Sequence, residues 1–169
     1  MSAGPDMSQT ATAAGPDAAT IVDELVAAHR GQAGALLPLL HAIQEAVGHV
    51  PDEGVPAIAR GLNLSRAEVH GVVTYYHFFR SKPIGRHLVE VCRAESCKAV
   101  GADALMAHAE ARLGCRSHHT RADGGVTLAP VYCLGLCALS PAIMVDDKPY
   151  ARMTPDKFDR LAAKLEIAA

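Results

Sequence analysis

The sequence predicts an α+β chain, an N-terminal helical bundle followed by a compact α/β domain. Three observations carry this reading. Apolar residues recur at helical spacing in short pieces through residues 20–82, whereas His87-Leu88-Val89-Glu90-Val91-Cys92 alternates like a strand. All five cysteines fall in the second half, four of them in two close pairs. The whole chain has 169 residues, enough for one ordinary domain or two small ones and too few for a multi-domain enzyme with its own large cofactor pocket.

The elements follow in order. Residues 1–19, rich in Ser, Ala, Thr, Gly and Pro, read as a flexible tail. In the bundle, residues 20–82, Ile21, Val22 and Leu25 mark a first helix that breaks near Gly31 and Gly34. Leu36, Leu37, Leu40, Ile43 and Val47 mark a second, with Gly48 just past its end. Pro51 and Asp52 open a short third helix that turns Ile58 and Leu62 inward. Ser65-Arg66-Ala67-Glu68 is a capping box for a fourth, continued by Val69, Val72, Val73 and Tyr76. The second domain, residues 83–169, opens with the strand at 87–92. An amphipathic helix over 100–113 then turns Val100, Leu105, Met106, Ala109 and Leu113 inward, and a strand covers 126–131. Asp146-Asp147-Lys148 joins 142–145 to 149–152 as a hairpin. Thr154-Pro155 caps a last helix carrying Phe158, Leu161 and Leu165. This is thioredoxin-like ordering.

Composition excludes several function classes. Sixteen basic residues against eighteen acidic ones give a net charge of −2, without the basic excess of a nucleic-acid binder. The first basic residue is Arg30, after several acids, so a secretory or transit signal is not expected and a cytoplasmic, thiol-reducing location is. The uncharged stretch from Gly124 to Val145 is interrupted by Pro130, Gly135 and Pro141, which breaks the apolar helix of roughly 20 residues that a membrane span needs. It reads as buried protein around a site.

The site is signalled by cysteine. Five is a poor count for a disulfide framework. Cys92-x4-Cys97 leaves the end of a predicted strand for the start of a helix, and Cys133-x3-Cys137 follows another strand, with Gly135 permitting a tight backbone path. Two loops at one end of a small sheet present four thiolates to one centre. The spacings are wider than zinc knuckles and lack the Cys-x2-Cys of thioredoxin chemistry. They leave three readings: a [2Fe–2S] cluster with one pair per iron, which fits best, a zinc site, or unrelated core cysteines.

The segments Val91-Cys92-Arg93-Ala94-Glu95-Ser96-Cys97, Gly101 to Leu105 and Cys133-Leu134-Gly135-Leu136-Cys137-Ala138-Leu139-Ser140-Pro141-Ala142 resemble the thioredoxin-like [2Fe–2S] ferredoxin family. The stretches ending Gln44-Glu45-Ala46-Val47-Gly48-His49-Val50 and Gly71-Val72-Val73-Thr74-Tyr75-Tyr76-His77-Phe78 are similar to its N-terminal bundle. The family includes small iron–sulfur subunits of respiratory complex I (NADH:quinone oxidoreductase) and of NAD-dependent formate dehydrogenase. The resemblance implies one [2Fe–2S] cluster held by Cys92, Cys97, Cys133 and Cys137, with Cys115 a bystander. It implies an electron-transfer subunit with no catalytic residues, exchanging electrons with FMN in an NAD-binding partner. Arg93-Ala94-Glu95-Ser96 and Leu134-Gly135-Leu136 look more like the formate dehydrogenase gamma subunit. That version implies an FMN- and NAD-binding beta subunit and an alpha subunit with a molybdenum cofactor as partners. The alternatives are the equivalent subunit of complex I or of an NAD-linked hydrogenase.

The remaining motifs have plainer readings. Cys115-x2-His118 lacks the partner half of a Rieske site, and a solvated loop suits it better. His29, His41, His49, His70 and His77 read as surface or contact residues. Leu64 to Val69 mimics a helix-turn-helix, hence a DNA-binding redox sensor, but the capping box accounts for Ser65 and Glu68. Tyr75, Tyr76, Phe78 and Phe79 read as core packing first and as a subunit interface second.

Overall fold

The computed structural model describes residues 17–167, so residues 1–16 of the expected tail lie outside the described residues. Asp17 is already a cap: its side chain accepts the Thr20 N–H at 2.8 Å and starts helix α1, Ala18–His29. The chain divides into two compact units between Ser81 and Lys82.

The first unit adds α2 (Leu36–Val47), a 3-10 turn at Asp52–Gly54, α3 (Val55–Leu62) and α4 (Arg66–Tyr75). Gly48 closes α2 in the left-handed region, φ 87°, donating to the Gln44 carbonyl. Both halves of the Ser65–Glu68 capping box are formed. Val22, Leu39, Leu40, Ile43, Ile58 and Val69 pack into one core. Gln44 is buried among them, its amide donating to the Phe78 carbonyl at 2.9 Å and accepting from the Arg80 N–H at 2.8 Å. Both of its ends are therefore satisfied, and they pin residues 78–80 against α2.

That pinning decides the fate of the aromatics. α4 ends at Tyr75, and Tyr76 takes an extended conformation. Only Phe79 returns to the core, while Tyr75, Phe78 and Tyr76 stay exposed at 75%, 53% and 43%. Core packing, expected for all four, is correct for Phe79 alone.

The second unit is a five-stranded mixed sheet in the order β2-β3-β1-β4-β5. Its strands are β1 (His87–Cys92), β2 (His119–Thr120), β3 (Val126–Val131), β4 (Ile143–Val145) and β5 (Lys148–Tyr150). Helices α6 (Ala102–Leu113) and α7 (Pro155–Lys164) bury Leu105, Met106, Leu113 and Phe158 against Val89, Val91, Leu128 and Ile143 of the sheet. Along β1 the alternate residues Leu88, Glu90 and Cys92 point the other way. Asp146 and Asp147, both at positive φ, form the two-residue hairpin turn. The Asp146 carboxylate reaches back to the Leu88 N–H at 2.9 Å and to His87 Nδ1 at 2.6 Å.

Three expectations need correction. The helix expected over 100–113 begins only at Ala102, as α6, and a separate short helix α5 (Glu95–Ala99) precedes it, the two parted at Gly101 with φ 96°. Val100 falls in that break and is 54% exposed rather than inward. The loop around His118 contains β2, because His119 and Thr120 pair with Leu128 and Thr127 on the edge of β3. Its two side chains are exposed, so no apolar alternation marks it.

Arg121 closes the sheet's edge. Its Nη1 donates to the carbonyls of Leu113 and Ile167, at 3.0 and 2.7 Å, and its fork grips Asp123 at 2.8 Å. That guanidinium, with the Gly125 N–H, holds the Asp123 carboxyl down from 3.8 to about 2. A depressed carboxylate contributes stability above its unfolded value and loses it as pH falls through the folded one. Asp123→Asn should therefore lower the stability of this unit at neutral pH, and chemical denaturation should show the difference shrinking between pH 3.8 and about 2. In the first unit, a Cβ on Gly61 would land inside the Cγ1 methyl of buried Val26, a side chain with little χ1 freedom. Gly61→Ala should cost about 1–3 kcal/mol despite its helix propensity, and Val26→Ala in the same chain should recover part of the loss.

Candidate metal centre

Strand register builds the site. β1 and β3 are parallel and aligned so that Cys92 stands opposite Val131, the last residue of β3. The chain after each strand therefore leaves the sheet at the same end. Arg93 N–H donates to the Val131 carbonyl at 2.8 Å, and Cys92 N–H to the Ala142 carbonyl at 3.0 Å, which fixes Cys92 between both strands of the second loop. Cys97 follows on α5, and residues 132–142 return over it.

The four thiols meet as two pairs. Cys133 and Cys137 have sulfurs 3.7 Å apart. The backbone N–H groups of Ala94, Cys133 and Leu134, together with the neighbouring Cys97 side chain, stabilise the Cys92 thiolate. Burial pushes the Cys92 thiol up, but these donors outweigh it and leave its pKa below the ordinary value. Cys137 is shifted up, first by its hydrogen bond to Cys133 and then by the like charges of Cys133, Cys97 and Cys92. The first pair is buried, 2% exposed at each residue, and the second is exposed. Cys133 sits at φ 90°, a conformation that a non-glycine residue holds only under constraint, and Gly135 at φ 74° donates its N–H to the Cys133 sulfur at 3.4 Å.

The donor set fits an iron–sulfur cluster: four thiols, none competing with a carboxylate or imidazole, with backbone N–H groups aimed at sulfur to stabilise the negative charge. Among the described residues no three or more His, Cys, Asp or Glu converge as one metal ion requires. Two irons taking two sulfurs each make no such demand. Cys115 stands apart, buried in the sheet–helix core with its thiol donating to the His119 carbonyl at 3.0 Å. Three histidines have partners elsewhere: His87 and His108 bind Asp146 and Asp159, and His41 meets Phe78 at a tilt and Phe79 edge-on. Ser96 and Ser140, not singled out by sequence reasoning, lie in the two cysteine loops, their hydroxyls 2.9 Å apart. Serine spacing alone gave no signal for them, because the pairing depends on how the two loops close.

No helix among the described residues is long and apolar enough to cross a membrane. The family model for the thioredoxin-like [2Fe–2S] ferredoxin matches residues 22–166. A subunit of the NADH-quinone oxidoreductase of Pseudomonas aeruginosa is 36% identical over 75% of this chain and 76% of its own. The corresponding subunit from Rhizobium meliloti is 31% identical over 87% of this chain and 88% of its own. Among solved structures, an NAD+-reducing [NiFe]-hydrogenase in its H2-reduced state shares the fold, with TM-score 0.66 and 23% identity. The match covers 79% of this chain and 22% of that one. The span matched by the family model runs through both units and includes all four paired cysteines. The chain belongs to the thioredoxin-like [2Fe–2S] ferredoxin family and takes one [2Fe–2S] cluster.

Proposed function

We propose that this chain is the [2Fe–2S] electron-transfer subunit of a multisubunit NAD(H)-linked oxidoreductase, with Cys92, Cys97, Cys133 and Cys137 as its cluster ligands. The observation that carries the reading is the pairing of two thiol loops at one end of the sheet, in a chain whose relatives are subunits of NADH-quinone oxidoreductases. The cluster supplies one-electron transfer. The chain's own part is to ligate, to tune and to dock. Cys92 and Cys97 are sealed under the second loop, and backbone donors offset the negative charge of their sulfurs. Cys133 and Cys137 face outward, the side on which an electron partner approaches.

In this reading the partner subunit holds FMN and binds NAD, because the chain has no dinucleotide-binding motif of its own. The names of its relatives favour a complex of the NADH-quinone oxidoreductase kind, and an NAD-linked hydrogenase, of which one solved structure shares the fold, is the alternative. A formate dehydrogenase, with a molybdenum-bearing alpha subunit, is a second reading that rests on Arg93-Ala94-Glu95-Ser96 and Leu134-Gly135-Leu136 alone. A cytoplasmic location, where thiols stay reduced, belongs to the same proposal. Affinity purification from the native host separates the two, since a molybdenum protein among the partners supports formate and a quinone-reducing membrane complex removes it.

The ligand assignment predicts about two irons and two acid-labile sulfides per chain. Cys92→Ser, Cys97→Ser, Cys133→Ser and Cys137→Ser should each lose more than about half of the iron or change the EPR signal, while Cys115→Ser keeps both. A normal cluster in Cys133→Ser would sink the assignment. Gly135→Ala forces a Cβ into the left-handed region, at about 1–2 kcal/mol, in open space. It should weaken cluster retention during gel filtration while far-UV circular dichroism stays unchanged.

A further inference from the structure

We infer that the Ser140 hydroxyl donates a hydrogen bond to the Cys97 sulfur in the cluster-bearing protein and thereby raises the cluster's reduction potential, with Ser96 as its positioning residue. The inference rests on the proposed ligation by Cys97. Ser140 Oγ lies 3.4 Å from Cys97 Sγ, 2.9 Å from the Cys137 carbonyl oxygen and 2.9 Å from Ser96 Oγ. Ser96 Oγ lies 3.0 Å from that same carbonyl.

Counting hydrogens decides the direction. With Cys97 as a free thiol, its S–H donates to Ser140 Oγ, and Ser140 donates to the Cys137 carbonyl. A sulfur bound to iron has no hydrogen to give, so the 3.4 Å contact persists as a hydrogen bond only with the hydroxyl as donor. Ser140 then turns its one hydrogen toward sulfur by rotation about Cβ–Oγ. The carbonyl it leaves is served by Ser96, already within reach. Ser96 belongs to the first cysteine loop and Ser140 to the second, so the exchange is available only when the loops are closed on each other.

A donor to a ligand sulfur favours the more negative, reduced state of the cluster and so raises its potential. The acceptor sulfur is itself buried, Cys97 being 2% exposed.

The test is an EPR-monitored potentiometric titration of the full chain carrying its cluster, alongside thermal unfolding of the metal-free protein. Ser140→Ala should keep its iron and shift the midpoint down by the equivalent of a roughly tenfold change in the reduced-to-oxidised ratio, about 59 mV for one electron. Ser140→Thr, which retains the hydroxyl, should titrate as wild type. Ser96→Ala should shift the midpoint the same way by less, because the Ser140 hydrogen is then shared with the Cys137 carbonyl. The double alanine variant should titrate no lower than Ser140→Ala. An unchanged midpoint in Ser140→Ala overturns the inference and leaves the ligand assignment intact. So does an equal fall in Ser140→Thr, or loss of iron confined to Ser140→Ala. A wild-type chain that takes up no iron overturns the ligand assignment, and this inference falls with it.

Discussion

The site depends on one register. Because β1 and β3 are parallel with Cys92 opposite Val131, two segments far apart in sequence leave the sheet at the same end. Parallel pairing requires a crossover, here provided by α5 and α6, and the first cysteine loop is the beginning of that crossover. A slip of one residue would turn Val89 and Val91 out of the core and Cys92 into it, so the burial of α6 and α7 against the sheet is also what holds the thiols in place. Core and site are one construction in this unit.

The two pairs then differ in kind. Cys92 and Cys97 are anchored by a strand end and a helix and sealed from water, whereas Cys133 sits on a loop with strained backbone and a positive-φ glycine that leads to Cys137 at the start of a single 3-10 turn. Rigidity on one side and exposure on the other suit a redox group that must be retained and still be reached. The hydroxyls of Ser96 and Ser140 join the two sides through a shared carbonyl. The first unit contributes none of these groups. Its ordered features are the Gln44 clamp and the aromatic surface that the clamp leaves outside.

Much of this was legible in the sequence where one residue type has one physical use. Paired cysteines, the Ser65–Glu68 capping box, Gly48 and Thr154-Pro155 each name a local structure almost unaided. What stayed hidden depends on tertiary context. β2 shows no alternation because both its side chains are exposed on an edge. The late start of α6 is hidden because Val100 fits its apolar spacing, although Val100 faces solvent and Gly101 takes the left-handed turn before the helix. The four aromatics near residue 76 share a composition but not a fate, since backbone hydrogen bonds to Gln44 decide which of them is drawn inward. The pairing of Ser96 with Ser140 is likewise a property of loop closure.

The central claim is that two thiol pairs together hold one two-iron centre. Iron-edge X-ray absorption on freshly purified protein addresses it directly. The account predicts irons surrounded by sulfur alone, each with a second iron as its nearest metal neighbour. A spectrum with nitrogen or oxygen in the first shell, a lone iron, or zinc in place of iron would contradict it.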